Sequence, residues 1–111
     1  MLKKSYMAAI LDSLKDPILF ADTEHVTRYM NQAAIAHYEG GKDLIGRSLL
    51  ECHNEKSQET MKEILHLMIN ENLEEREISE EEGHRIFMRT VRDSNGLVLG
   101  YYERYEPILE K

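Results

Sequence analysis

Two side chains capable of chemistry stand side by side in GRSLLECHNEKSQETM, residues 46–61: Cys52, the chain's only cysteine, and His53. Such a pair can bind a metal, form a nucleophile–base dyad, grip a cofactor, or simply open a helix. Zinc needs about four nitrogen, sulfur or oxygen ligands, usually in spaced pairs. Cys52 and His53 are adjacent, and His25, His37, His66 and His84 show no paired spacing. A metal site is not expected. A reactive thiolate needs a base or a positive field beside it. Neighbouring side chains usually point apart, so a buried or half-buried structural cysteine is expected. Its one special feature is its place before a helix opening at Ser57, whose N-terminal dipole favours a thiolate.

A second stretch imitates a phosphate-binding loop. Gly41 to Ser48 reads GKDLIGRS, one residue from a P-loop, with Arg47 where the lysine belongs. A helix rather than a strand precedes it, and its spacer is apolar where a phosphate cradle needs free N–H groups. Nucleotide binding is not expected.

The elements that must position these residues follow from patterning. Residues 2–14 form an amphipathic helix, with Leu2, Tyr6, Ala9, Ile10 and Leu14 on one face. Pro17 ends it. PILFAD and HVTRYMN flank a turn-like patch, Ala21 to His25, and make a hairpin. Asn31 caps the helix QAAIAHYE, and Gly40-Gly41 closes it. KDLIGRSLLE makes short helical turns. From Ser57 to about Asn70, Met61, Ile64, Leu65 and Met68 recur at helical spacing and form one buried face. Glu74, Glu75, Glu77, Glu80, Glu81 and Glu82 make a solvated strand edge and turn, where like charges discourage edge-to-edge pairing. HRIFMRTVRD and LVLGYYERYE, joined by DSNG, make a long hairpin over 84–106. This order predicts an α+β domain with helices on one face of an antiparallel sheet.

Composition narrows the function classes. The 111 residues suit one domain, which can bury roughly two-thirds of its unfolded surface without a disulfide or structural metal. The net charge is −7, the wrong sign for phosphate, so nucleic acid and anionic membrane are not expected partners. No apolar run reaches membrane-spanning length. A single cysteine suits a reducing cytoplasm.

Taken together, the motifs resemble a PAS domain over nearly the whole chain. ILDSLKDPILFADTEHVTRYMNQAA resembles the family's opening, LIGRSLLE its short helix with Gly46, Arg47 and Ser48, and NGLVLGYYERYEPI its last strand. The exit, Glu106-Pro107-Ile108, departs from the usual Asp-Ile-Thr-like ending. CHNEKS resembles a subgroup with Cys-His at the entrance to the long helix. The resemblance implies a PAS-like antiparallel sheet of about five strands, short helices on one face and an N-terminal helix. Residues 1–16 are read as a helical cap or dimerisation segment, 17–108 as the core and 109–111 as a tail.

The resemblance also implies a pocket between the sheet and the short helices. Its candidate lining comprises Asn31, Ile35, Tyr38, Leu50, Cys52, His53, Met61, Leu65, Met88, Tyr101 and Glu103. The ligand-binding set drawn from these is Asn31, Tyr38, Cys52, His53, Met88, Tyr101 and Glu103. His53 and Glu103 stand out, because an inward polar group needs a partner. Haem ligation through His53 or His37 stays open. His66 faces away from the apolar stripe of its helix. A flavin photoadduct is not expected, since LLECHNEKS lacks the Asn-Cys-Arg-Phe-Leu-Gln element of light-sensing relatives.

Both alternating sets in the last hairpin carry apolar residues: Ile86 and Met88 against Phe87 and Val91, then Leu97, Leu99 and Tyr101 against Val98 and Tyr102. A sheet apolar on two faces wants cover on both. A homodimer through residues 2–14 and the outer sheet face is therefore expected. The leading expectation is a bacterial-type cytoplasmic sensory module with no catalytic role, binding a small molecule. The alternative is a ligand-free PAS dimerisation or interaction domain of a kinase, cyclase or transcription regulator.

Overall fold

The computed structural model describes residues 4–109. Helix α1 spans Lys4–Asp12, strands β1 and β2 Leu19–Asp22 and Thr27–Met30, and helix α2 Gln32–His37. Two 3-10 turns follow at Gly41–Leu44 and Leu49–Cys52, then helix α3 over Glu55–Asn70. Strands β3, β4 and β5 cover Glu75–Glu81, His84–Arg92 and Val98–Pro107. The five strands form one antiparallel sheet in the order β2-β1-β5-β4-β3. This is the α+β, PAS-like architecture expected. Leu2 and residues 110–111 of the expected tail lie outside the described residues.

Local chemistry explains the boundaries. Asp22 Oδ1 accepts from the N–H groups of Glu24 and Val26, which closes the β1–β2 turn and lets His25 sit at φ 64°. Asn31 caps α2 by accepting from the Ala34 N–H. Asn54 caps α3 by accepting from the Ser57 N–H, so α3 begins at Glu55, two residues before the expected Ser57. Glu82 and Gly83 both have positive φ and join β3 to β4 in a two-residue turn of the kind that matches strand twist. Asp93 Oδ1 accepts from Asn95 and Leu97, closing the last hairpin.

The core lies between α3 and the inner sheet face. Met61, Ile64, Leu65 and Met68 of α3 are buried, as their spacing predicts, with Leu19, Ala21, Met30, Ile86, Met88 and Tyr101 from the sheet. The acidic strand β3 is an edge strand. On the outer face its Glu75 takes two hydrogen bonds from Arg104, whose guanidinium lies 4.3 Å from the Phe87 ring centre.

One expectation about faces needs correction. Leu97 and Leu99 are exposed whereas Tyr101 is fully buried, so these three do not share a face. A bulge between Val91 and Arg92 lets Val91 pair with Gly100 and Arg92 with Val98, leaving Leu99 unpaired. The extra residue reverses the alternation, and Val98 packs against the core instead of joining Tyr102 outside. Gly100 occupies the bulge at φ 153°, and a Cβ there would overlap the Ala21 carbonyl. Helix α1 ends at Asp12 rather than at the expected Leu14, and polar bonds set its orientation. Tyr29 donates to Asp12 Oδ1 at 2.9 Å and Asn31 Nδ2 donates to the Leu11 carbonyl at 2.9 Å. These bonds turn the Leu11–Asp12 side toward the sheet and leave Tyr6, Ile10 and Leu14, at 55%, 52% and 43% exposure, on the surface.

Candidate functional site

Glu103 stands in the central part of β5, paired with Leu19 on one side and Met88 on the other, both fully buried. Strand alternation therefore drives its carboxyl group inward, where it is 5% exposed. An inward carboxyl needs partners. Tyr38, the residue that ends α2, donates its hydroxyl to Glu103 Oε2 at 2.6 Å. With that proton committed, Tyr105 is the donor in the 2.6 Å contact between its hydroxyl and that of Tyr38. The result is a chain of hydrogen bonds, Tyr105 to Tyr38 to Glu103, joining α2 to the last strand. Tyr105 follows Tyr101 and Glu103 at strand period, so alternation alone carried the signal that it faces the same side.

The electrostatics follow from burial. Desolvation raises the Glu103 carboxyl above its ordinary value, against the opposing pull of the Tyr38 hydrogen bond and of His53 and His37. Burial, then the charge of Glu103, push the Tyr38 hydroxyl far up. Tyr105 is raised to about 12, mainly by burial. Both phenols are therefore held protonated as hydrogen-bond donors.

These groups open onto a cleft of about 470 Å³ between the 3-10 turns and the sheet. Tyr38, Cys52, His53 and Glu103 line it, as do Tyr105, Glu39 and Glu81. Leu44, Leu49, Ile78 and Ile86 supply its apolar walls. Four of the seven ligand-binding residues named from sequence thus meet at one cleft.

The other three stand elsewhere. Asn31 is fully buried and spends its side chain on the backbone, accepting from Ile18 and Ala34 and donating to Leu11 and Asp16. Met88 fills the core. Tyr101 also belongs to the core, where its hydroxyl meets His25 Nδ1 at 2.7 Å. Burial lowers the His25 imidazole, with Lys62 adding to the effect. Of the wider lining set, Ile35, Leu50, Met61 and Leu65 pack in or against the core.

Cys52 is exposed, which corrects the expectation of a buried or half-buried thiol. It ends a 3-10 turn whose apolar anchor is Leu49, so the turn buries that leucine and directs the thiol to the rim. His53 is half-buried. His37 borders an adjoining, wider surface cleft with Lys15, Asp16, His84 and Glu82, which shares Glu81 and Tyr105 with the first. It packs edge-on against Tyr38 and Tyr105, at ring-centre distances of 5.1 and 5.2 Å. His37 and His53 thus belong to different clefts. His66 is exposed.

A family model described as PAS domain matches residues 7–107. A C-terminal domain from Streptococcus mutans superimposes with a TM-score of 0.76 at 21% identity, over 96% of this chain and 85% of that one. The PAS domain of BvgS from Bordetella pertussis gives 0.68 at 19% identity, over 96% and 87%. A sensory box sensor histidine kinase from Vibrio cholerae gives 0.64 at 12% identity, over 97% and 93%. At these identities the likeness to solved structures concerns the fold. No curated protein matches the chain.

Proposed function

The chain belongs to the PAS domain family, and from that membership we propose a bacterial cytoplasmic sensory module. It binds a small ligand in the cleft at Glu103 and signals through contacts between two copies, without catalysing a reaction. One observation carries the reading: the buried Glu103 carboxyl, tied to α2 through Tyr38, lines a cleft large enough for a small molecule. Among the described residues no helix is long and apolar enough to cross a membrane.

A ligand shifts a conformational equilibrium only by binding one state more tightly than the other. A molecule that competes for the Glu103–Tyr38 bond does this, because that bond ties the end of α2 to the sheet. The other end of α2 is Asn31, which holds α1 through the Leu11 carbonyl. Glu103, Tyr38, α2, Asn31 and α1 are therefore physically contiguous, and the proposed signal runs along them. At its far end, Tyr6, Met7 and Ile10 leave α1 exposed and apolar, with exposed Leu14 just beyond it. Beside them lies a groove of about 520 Å³ lined by Leu11, Leu14, Ile18, Phe20, Tyr29, Val91 and Tyr102. Concentrated apolar surface of this kind marks an interaction face. The same groove favours a second reading, a ligand-free dimerisation or interaction domain of a larger kinase, cyclase or transcription regulator.

Native mass spectrometry of freshly purified protein, compared with the denatured mass, separates the two. A dimer carrying excess mass that is lost on denaturation is the expected result. A bare dimer whose mass does not change in a cell metabolite extract overturns ligand sensing and leaves the interaction domain.

A further inference from the structure

Three carboxylates line the ligand cleft together with apolar walls, and one of them is buried. In the cleft, Glu39, Glu81 and Glu103 have no ion-pair partner among the described residues, and no lysine or arginine lines it. Glu103 is the telling member. Its side chain is 5% exposed, Oε2 accepts from Tyr38, and Oε1 has no donor among the described residues. Oε1 is not among the fully enclosed orphan atoms, so it is reachable from the cleft and can accept from a ligand N–H in a charge-assisted bond.

We propose that the cleft selects a small organic cation, an amine or amidine, with Glu103 as its counter-ion and Leu44, Leu49, Ile78 and Ile86 around its apolar part. This rests on the cleft being a ligand site and adds the ligand's chemical class. The negative field of Glu39 and Glu81 at the same cleft disfavours anionic metabolites. Proton linkage supports the assignment. Burial favours the neutral Glu103 carboxyl, so a bound cation must displace its proton. The groups that bear on Glu103 are His37 and Tyr38 at α2, His53 before α3, Glu81 on β3 and Tyr105 on β5. Below the Glu103 pKa, cation affinity then rises with pH by at most about tenfold per unit, the slope of one released proton.

The test uses four matched probes, benzylamine, benzamidine, benzyl alcohol and benzoate, titrated into the whole chain. Backbone amide NMR follows the resonances of Tyr38, His53, Ile78 and Glu103. The expected result is saturable shifts with the two cations, none with benzoate, and weakening of the cation shifts as pH is lowered. Glu103→Gln, checked for native dispersion, should abolish the preference for cations, while Glu39→Gln should only reduce it. Equal or stronger shifts with benzoate or the alcohol would overturn the cation assignment and leave the ligand site standing. No shifts at the cleft with any probe at millimolar concentration would overturn both.

Discussion

Asn31 Nδ2 donates to the Leu11 carbonyl at 2.9 Å, so one side chain caps α2 and fastens α1. Its other bonds, from Ile18 and Ala34 and to Asp16, leave no polar atom of this buried amide idle.

Replacing Asn31 by alanine removes a cap and strands several buried backbone groups. The expected cost is about 3 kcal/mol, combining a lost N-cap with unsatisfied polar groups. Urea unfolding measures it, and hydrogen exchange should rise first in α1. A loss below about 1 kcal/mol would show that water replaces these bonds without strain.

Glu103 gives stability a pH dependence of defined sign. Its carboxyl is raised in the folded chain, so the folded state holds the proton more tightly than the unfolded one. The stabilising contribution is full below the ordinary carboxylate value of 4.5 and is lost as pH rises through the folded value. Glu103→Gln, which keeps an acceptor for Tyr38, should therefore be more stable than the parent at pH 8, with the gain shrinking toward pH 4. Melting temperatures of the two proteins across this range decide it. A constant difference would mean that Glu103 does not titrate abnormally.

Gly100→Ala tests the bulge. The added Cβ would overlap the Ala21 carbonyl where β5 pairs with β1, and φ 153° disfavours any residue with a side chain. A loss of at least about 3 kcal/mol is expected from backbone displacement in the sheet centre. Leu99→Ala, one residue away and 43% exposed, should cost far less. Similar losses from the two variants would refute this account of the bulge.

Ile10→Lys tests the α1 face. Ile10 is 52% exposed in the single chain, so the change should leave monomer stability within about 0.5 kcal/mol. It should weaken self-association at least tenfold by light scattering or sedimentation. An unchanged association constant would place the dimer contact elsewhere.

The sequence by itself determined the parts that depend on neighbours in the chain. Asn31 and the acidic turn after Phe20 announce their cap and hairpin. The 61, 64, 65, 68 spacing announces the buried face of α3, and the glutamates of β3 announce an edge strand. These are short-range signals, set by side-chain hydrogen bonds and by the periods 3.6 and 2. Alternation along β5 was legible only from Tyr101 onward, since the extra residue at Leu99 inverts the pattern before it. Only the tertiary structure decided that Tyr38, 65 residues from Glu103, supplies its hydrogen bond, and that Asn31 and Tyr101 serve packing rather than the cleft. It also decided which side of α1 meets the sheet, through Tyr29 and Asn31 rather than through the strongest apolar stripe. The physical reason is common to these cases. Alternation along β5 points Glu103 inward, but its burial and its polar partner depend on which elements become neighbours, and pairing β5 between β1 and β4 is what encloses the carboxyl group.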